Sequence, residues 1–172
     1  MLSDVSENVL DLAGRYICFS LGKEKFAIPL LQVKEVIGNI EVTPIPQSPN
    51  YFKGIMNLRG QVISIIDLST KLKIPKSADT KETTIVILDM EQMSLGIIVD
   101  SVECVEFFNG NDISHSNEFD STLKTNILGV AKKAGSMTLL LDLKGVGRKY
   151  VPYFSSGCFE GCLNIFRDAR LL

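Results

Sequence analysis

The chain has 172 residues, 45% hydrophobic and 22% charged, which is enough apolar material for one compact domain with its own core. Because 18 basic residues are balanced by 20 acidic ones, for a net charge of −2, the chain lacks the basic field that binding to nucleic acid or anionic lipid requires. No apolar run approaches the roughly 20 residues of a transmembrane helix, and the first ten residues lack a signal-peptide pattern, which predicts a cytoplasmic protein without membrane insertion.

The first predicted element, after a leader of residues 1–13, is a β-hairpin. Residues 16–21 alternate, with their apolar side chains on one face, and the polar turn 22–25 leads into a second short strand at 26–28. Cys18 in this hairpin, like Cys104 further on, stands in an apolar stretch and is interpreted as a small packed hydrophobe.

After the hairpin the apolar spacing changes. Leu30, Val33 and Ile37 recur at helical spacing until Gly38, which predicts a helical turn that passes into a strand. Residues 43–46 are predicted to be extended, because each proline there disfavours the α region for the residue before it.

A second hairpin is predicted around the turn 59–60. The apolar stretch 54–58 precedes this turn, and the β-branched stretch 61–66 follows it. Asp67 is then predicted to cap a helical turn that runs through Leu72, because its carboxylate can accept hydrogen bonds from the first N–H groups of the turn.

The polar connector at 75–82 is the predicted internal boundary of a domain that runs from residue 14 to 151. Beyond it, strands are predicted at 83–88, 93–99 and 103–108, followed by a polar loop at 109–125 and a last hairpin of 127–131 and 137–141. The tail 152–172 is predicted to form an amphipathic helix packed on the domain, because helical spacing relates Phe159, Cys162, Leu163, Phe166 and Arg170.

The sequence repeats itself at an offset of 75 residues. Gly54, Gly60 and Asp67 correspond to Gly129, Gly135 and Asp142, and upstream Ile28, Val33 and Val36 correspond to Ile97, Val102 and Val105 at an offset of 69. A repeat this long, with short strands and glycine turns, predicts a duplicated unit that folds as two small barrels with a buried strip between them. The alternative is chance recurrence, since glycine and aspartate are common at hairpin ends.

No catalytic group can be argued from the sequence. It has no phosphate-binding glycine loop and no hydrolase or metalloprotease motif, and its one histidine, His115, stands in the polar loop. Asp67 and Asp142 are interpreted as helix caps. Cys158 and Cys162 form a C-x3-C pair. The alternative from another functional class is therefore a thiol- or metal-dependent protein that uses these two cysteines, although a structural zinc site requires four ligands. The prediction is a binding module without enzymatic activity, cofactor or metal.

Seven segments stand in a recognisable order along the chain. They are 33–37, 43–46, 54–60 and 65–68 in the first half and 96–102, 127–131 and 140–143 in the second. Together they resemble the CheW family of chemotaxis coupling proteins over about residues 14 to 147, and the run Asn57-Leu58-Arg59-Gly60 is the most distinctive of them.

The resemblance implies an all-β fold of two small intertwined SH3-like β-barrels with short helical turns, and no catalytic activity. It also implies a scaffold that binds the cytoplasmic tip of a chemoreceptor and the regulatory domain of the histidine kinase CheA. Such scaffolds join other CheW-like domains in the rings of membrane-associated receptor arrays. A coupler of another receptor–kinase array, such as one for twitching motility, is the alternative within the class.

The resemblance places receptor binding near the seam between the barrels. The predicted receptor-binding residues are Val33, Glu35, Val36, Gly54, Asn57 and Arg59. Val33 and Val36 could seat an amphipathic helix, or at least one of them is buried in the barrel, and Gly54 permits close backbone approach. The Arg59 guanidinium can clamp a partner's carboxylate, or it can pair internally with Glu35 and brace the two motifs.

Two positions depart from the family pattern. Ser64 stands where proline is common, and Ser69 stands where a basic residue is common. Neither change is expected to prevent folding, but the missing charge at Ser69 could alter partner contacts.

Overall fold

The computed structural model of the protein describes residues 14–38, 41–75, 84–90, 93–115, 126–133, 135–143 and 146. The predicted leader, residues 76–82 of the predicted connector, and the tail with Cys158 and Cys162 lie outside the described residues. Within the described ranges, no helix is long and apolar enough to cross a membrane.

Strands dominate these ranges, as the period-two alternation predicts. In chain order they are β1 (Arg15–Leu21), β2 (Glu24–Pro29), β3 (Val33–Ile37), β4 (Phe52–Leu58), β5 (Gln61–Asp67), β6 (Thr84–Met90), β7 (Met93–Val99), β8 (Ser101–Phe107), β9 (Ile113–His115), β10 (Ile127–Lys133) and β11 (Ser136–Leu141). The helix α1 (Leu68–Leu72) follows β5, and 3₁₀ turns at Leu30–Gln32 and Gly110–Asp112 precede β3 and β9. The all-β prediction is confirmed.

The strands form two sheets that exchange strands between the halves of the sequence. The six-stranded first sheet has the order β8-β1-β2-β11-β10-β9, and the five-stranded second sheet has the order β3-β6-β7-β5-β4. The first sheet takes the hairpin β1-β2 from the first half of the sequence and its other strands from the second half. The second sheet takes the hairpin β6-β7 from the second half and its other strands from the first half. We call β1-β2 and β6-β7 the leading hairpins. Since neither half completes a sheet alone, the two halves are intertwined.

The internal repeat is confirmed strand by strand. β2 and β11 pair in parallel in the first sheet, and β7 and β5 pair in parallel in the second. The offset of 69 converts the residues of β2 into those of β7, and the offset of 75 converts those of β11 into those of β5, so the two pairs have the same register. The bulges recur too. Glu103 is the extra residue of β8 opposite β1, and its counterpart Lys34 is the extra residue of β3 opposite β6. Leu128 is the extra residue of β10, and its counterpart Lys53 is the extra residue of β4. Shared bulges indicate duplication, because hairpins that merely share turn residues need not share irregularities.

The largest hydrophobic cluster forms the seam between the two sheets. From the two leading hairpins it takes Ile17, Phe19, Leu21, Phe26, Ile28, Val86, Leu88, Leu95, Ile97 and Val99. Within it Phe19 and Phe26 stack with ring centroids 6.1 Å apart. Because these side chains are almost fully buried, each contributes roughly 1.5–3 kcal/mol of hydrophobic free energy. The predicted buried strip therefore holds the two sheets together.

Each sheet also covers a smaller cluster on its other face. In the second sheet this cluster consists of Met56, Ile63, Ile65, Ile85 and Ile87, and in the first of Cys18, Ala27, Phe108, Ala131 and Leu140. Strands β1 and β6 are consequently buried on both faces, which is why apolar residues occupy consecutive positions in them.

The helical spacing after the first hairpin yields less helix than predicted. Only Leu30–Gln32 forms a 3₁₀ turn, and the chain is extended from Val33 onward because β3 pairs with β6. Tertiary pairing therefore overrides a local apolar spacing that is compatible with both structures.

The predicted polar loop at 109–125 is wrong in its first part. Asn109 and Asp112 exchange side-chain to backbone hydrogen bonds in a capping box around a 3₁₀ turn, and strand β9 follows. β9 pairs with residues 129–131 of β10 and becomes an edge strand of the first sheet.

Asp67 ends β5 and caps α1, as predicted. Its buried carboxylate accepts a hydrogen bond from the Thr70 N–H at 3.1 Å and lies 3.6 Å from the Lys53 ammonium. We expect Asp67→Ala to lower the free energy of unfolding by about 1–2 kcal/mol, because the N–H group at the helix start loses its acceptor. Denaturant unfolding followed by circular dichroism measures this loss.

Asp89→Ala is the matched control. Asp89 is also an acidic residue near a strand end, but its side chain is 59% exposed and its contact with Lys34 is 3.6 Å long. Losing so exposed a pair is expected to change the free energy of unfolding by less than about 0.5 kcal/mol. Equal losses in the two variants would contradict the capping role.

Candidate functional site

The turn between β4 and β5 presents Arg59 at the surface. Leu58 pairs with Gln61, so Arg59 and Gly60 form a two-residue turn, and both have positive φ, 52° and 86°. Positive φ at both positions is the requirement of a type I′ hairpin turn. Asn57 supports the turn, because its Oδ1 accepts a hydrogen bond from the Gly60 N–H at 2.9 Å. The motif thus holds one guanidinium at the tip of a hairpin.

Arg59 contacts Glu35 between the two edges of the second sheet. Its Nη2 lies 3.3 Å from Glu35 Oε2, and β3 and β4 are the edge strands of that sheet, so the contact draws the edges together. The Arg59 side chain is nevertheless 80% exposed, against 28% for Glu35. An ion pair this exposed contributes at most about 1 kcal/mol. Internal pairing therefore exists, and it leaves most of the guanidinium facing solvent.

Gly54 is a buried backbone position. Its φ is +136°, and it follows the bulge of β4. Thr43 crosses it closely, because Thr43 and Ile55 exchange two backbone hydrogen bonds of 2.9 and 3.0 Å. A Cβ at position 54 would collide with the Thr43 carbonyl oxygen. Gly54 therefore permits the close backbone approach that the sequence predicts.

The bulge in β3 places Val33 and Val36 on the same face of the strand. Val36 lies opposite Val86 of the seam, and Val33 packs against the seam cluster. Val33 is half-buried, whereas Val36 is 42% exposed at the rim of the seam. The Glu35 side chain lies on the other face of β3, because Glu35 pairs with Ile87, which belongs to the smaller cluster of the second sheet.

The six predicted receptor-binding residues therefore occupy different places. Glu35, Asn57 and Arg59 come together at the β4–β5 turn. Val36 stands exposed on the other face of β3, and Gly54 is covered by the chain. Their assignment to receptor binding stays a prediction.

Ser64 and Ser69, the two departures from the family pattern, are both buried. Ser69 lies in the first turn of α1, where its carbonyl accepts a hydrogen bond from the Ile74 N–H at 2.9 Å. A buried serine offers little surface of its own to a partner, and the effect of the missing charge at position 69 stays a prediction.

The structure also joins three side chains that the sequence pattern did not connect. β1 pairs with β8 so that Cys18 stands directly opposite Cys104. The two Sγ atoms and a Glu106 carboxylate oxygen lie within 4.8 Å of one another. Cys18 is buried, as predicted, whereas Cys104 is exposed on an edge strand and not packed. No local signal could reveal this pair, because only the β1–β8 register joins the two cysteines.

Both thiols of this group are held in the protonated form. Burial, followed by the nearby Cys104 and Glu106, raises the pKa of the Cys18 thiol to about 12. The pKa of the Cys104 thiol is also raised, first by partial burial and then by the hydrogen bond that it donates to Glu106, although the residue as a whole is exposed. Neither thiol is therefore a reactive thiolate at neutral pH.

Comparison with known proteins agrees with this geometry. The family model of the CheW-like domain matches residues 15–149. The chemotaxis protein CheW of Klebsiella aerogenes is 33% identical over 145 residues, which cover 83% of this chain and 87% of that protein. The chemotaxis protein CheW of Treponema pallidum is 31% identical over 140 residues, which cover 78% of this chain and 82% of the relative.

Structural comparison extends the agreement to the fold. The crystal structure of the scaffolding protein TtCheW from Thermoanaerobacter tengcongensis is similar with a TM-score of 0.70 at 29% identity, covering 75% of this chain and 88% of that one. The likeness confirms two SH3-like β-barrels, and we call the first sheet barrel one and the second sheet barrel two. Protein PilI of Pseudomonas aeruginosa matches a shorter stretch, at 29% identity over 92 residues, or 54% of this chain and 52% of that protein.

Proposed function

Because the chain belongs to the CheW family of non-enzymatic chemotaxis scaffold proteins, we propose that it couples the cytoplasmic tip of a chemoreceptor to the regulatory domain of a CheA-type histidine kinase. It acts in the cytoplasm at membrane-associated receptor arrays, where it also joins other CheW-like domains in rings. Its contribution to signalling is to hold partners in a fixed arrangement.

The Arg59 turn is the observation that carries this proposal. A charged side chain on a rigid two-residue turn, 80% exposed, contributes little to the fold and is available to a partner. A guanidinium has five N–H donors in a planar arrangement, and it binds carboxylates or several carbonyl oxygens with defined geometry. The helical tip of a receptor can offer both kinds of acceptor.

Two exposed apolar side chains of barrel two support the same proposal. Val62 pairs with Asn57 in the hairpin and is 37% exposed, and Val36 is 42% exposed at the rim of the seam. An amphipathic receptor helix could bury these side chains while its polar face meets Arg59. The charged and apolar contacts lie at one barrel, which leaves the rest of the two-barrel surface for the kinase.

Reconstitution tests the proposal. The full chain, a CheA-type kinase and a receptor signalling fragment are mixed, and transfer of labelled phosphate from ATP to the kinase is measured. We expect a severalfold rise only when all three proteins are present, and no phosphate on the chain alone, because a coupler acts by assembly. No change in kinase activity, together with no co-sedimentation with the receptor fragment, would contradict the proposal.

A second candidate function is coupling in a different receptor–kinase array. The match to Protein PilI favours it, but that match covers less of both chains than the match to the CheW of Klebsiella aerogenes. Pull-down from extracts of the native cell distinguishes the two, because the receptor that co-purifies identifies the array.

A further inference from the structure

The group formed by Cys18, Cys104 and Glu106 is not explained by the scaffold role. From the described part of barrel one it combines two sulfur atoms and a carboxylate oxygen within 4.8 Å of one another. Cys104 and Glu106 are two residues apart on β8, so they project from the same face of the strand, and Cys18 faces Cys104 from β1. We propose that this group binds a thiophilic divalent cation of the zinc type.

The donor set fits such a cation. Zinc is bound by thiolates and carboxylates in tetrahedral geometry, and three protein ligands leave the fourth position for water or another donor. Because the Cys18 and Cys104 thiols are protonated in the free protein, the cation displaces both protons, which are released to solvent as the two metal–sulfur bonds form. With Zn–S bonds of about 2.3 Å, a tetrahedral ion separates two sulfur atoms by about 3.8 Å. The ligand atoms, which lie within 4.8 Å of one another, are therefore close to the separation that such an ion needs. Cys104 is exposed on an edge strand, so the ion has a path from solvent.

The internal duplication shows that the fold does not require this group. The offset of 69 residues relates Cys18 to Ile87, Cys104 to Glu35 and Glu106 to Ile37 in barrel two. Barrel two has the same strands and the same bulge without a thiol at these places. Cys18 and its counterpart Ile87 are both core residues, so this core position requires an apolar side chain but not a thiol, and the edge position of Cys104 does not require one either.

The surroundings of the thiols favour a cation over a disulfide. Glu106 already accepts the hydrogen bond of the Cys104 thiol at 3.5 Å. A disulfide would use only the two sulfur atoms and would leave this carboxylate without a ligand role. A bound cation engages all three groups, and it links β1 from the first half of the sequence to β8 from the second.

Cadmium binding to the full chain with Cys158→Ser and Cys162→Ser tests the site, since this background removes the other two cysteines. We expect one equivalent of Cd²⁺ to bind with the ultraviolet charge-transfer absorption of cadmium thiolate. Adding Cys104→Ser, at an exposed position that tolerates the change, should weaken binding by about 100-fold, and adding Glu106→Gln should weaken it by about 10-fold. Zn²⁺ should raise the melting temperature of the background protein and not that of the Cys104→Ser variant.

Three results would overturn the proposal. The first is no cadmium–thiolate absorption in the background protein. The second is unchanged affinity after Cys104→Ser in a protein that circular dichroism shows to be folded. The third is a protein that binds neither ion and that loses both thiols reversibly on treatment with hydrogen peroxide. In that reaction two thiols and one peroxide form one disulfide and two waters. That last result would assign the pair to disulfide formation.

Discussion

Gly54→Ala is expected to lower the free energy of unfolding by about 3 kcal/mol or more, since steric overlap and backbone strain each cost about 1–3 kcal/mol. An added Cβ would collide with the Thr43 carbonyl oxygen, which accepts a hydrogen bond from the Ile55 N–H at 3.0 Å. A φ of +136° is also a conformation that alanine rarely adopts. For a chain of this size the melting temperature should fall by about 6–12 °C, measured by thermal unfolding.

Gly60→Ala is the matched control for this prediction. Gly60 also has positive φ, +86°, but a Cβ there meets no atom within 4 Å. The variant isolates the cost of backbone conformation, which is about 1 kcal/mol. If the two variants lose the same stability, the close approach of Thr43 is not what position 54 requires.

Arg59→Ala is expected to weaken receptor binding by about 10- to 100-fold, because a charge-assisted contact to a partner contributes a few kcal/mol. The fold should lose less than about 1 kcal/mol, since the contact with Glu35 is 3.3 Å long and the arginine is 80% exposed. The two quantities are measured on one preparation, affinity by titration with a receptor signalling fragment and stability by denaturant unfolding.

Two further variants separate the partner role of Arg59 from bracing. Lys132→Ala removes an exposed cation from the equivalent hairpin of barrel one and should leave receptor affinity within about twofold, because charges outside an interface act only through screened long-range attraction. Glu35→Gln removes the internal partner of Arg59. If Arg59→Ala and Glu35→Gln lose the same large amount of stability, and affinity falls only in proportion, Arg59 is a brace and the assignment to the receptor is wrong.

Local chemistry made several features predictable from the sequence. A two-residue turn with Gly60 at its second position has few backbone solutions, and Asp67 before the short helix Leu68–Leu72 has a direct capping partner in Thr70. The repeat spacing of glycines and aspartates indicated duplication, and the shared bulges of the two sheets confirm it. The turn and the cap involve residues close together in the chain, and the repeat is visible as a constant spacing, so sequence alone could report all three.

The candidate site was predictable in part. The family resemblance singled out Glu35, Asn57 and Arg59, and the structure brings these three together. The same resemblance placed Val33 and Val36 beside Glu35, but the bulge in β3 turns the valines toward the seam and Glu35 away from it. A bulge depends on the partner strand, so the alternation along β3 could not reveal it.

By itself, the sequence determined the all-β class, the turns, the cap at Asp67 and the duplication of the unit, since each follows from residues near one another or from their spacing. Only the tertiary structure decided which strands become neighbours. The exchange of strands between the halves turns Leu30 to Ile37 mostly into strand and sets Cys18 opposite Cys104. Pairing with β10, within the second half, makes a strand of Ile113–His115. The physical reason is that the backbone N–H and C=O groups of a strand must be paired, and packing of the core decides which strand is near enough to pair with them. That core is assembled from both halves of the chain.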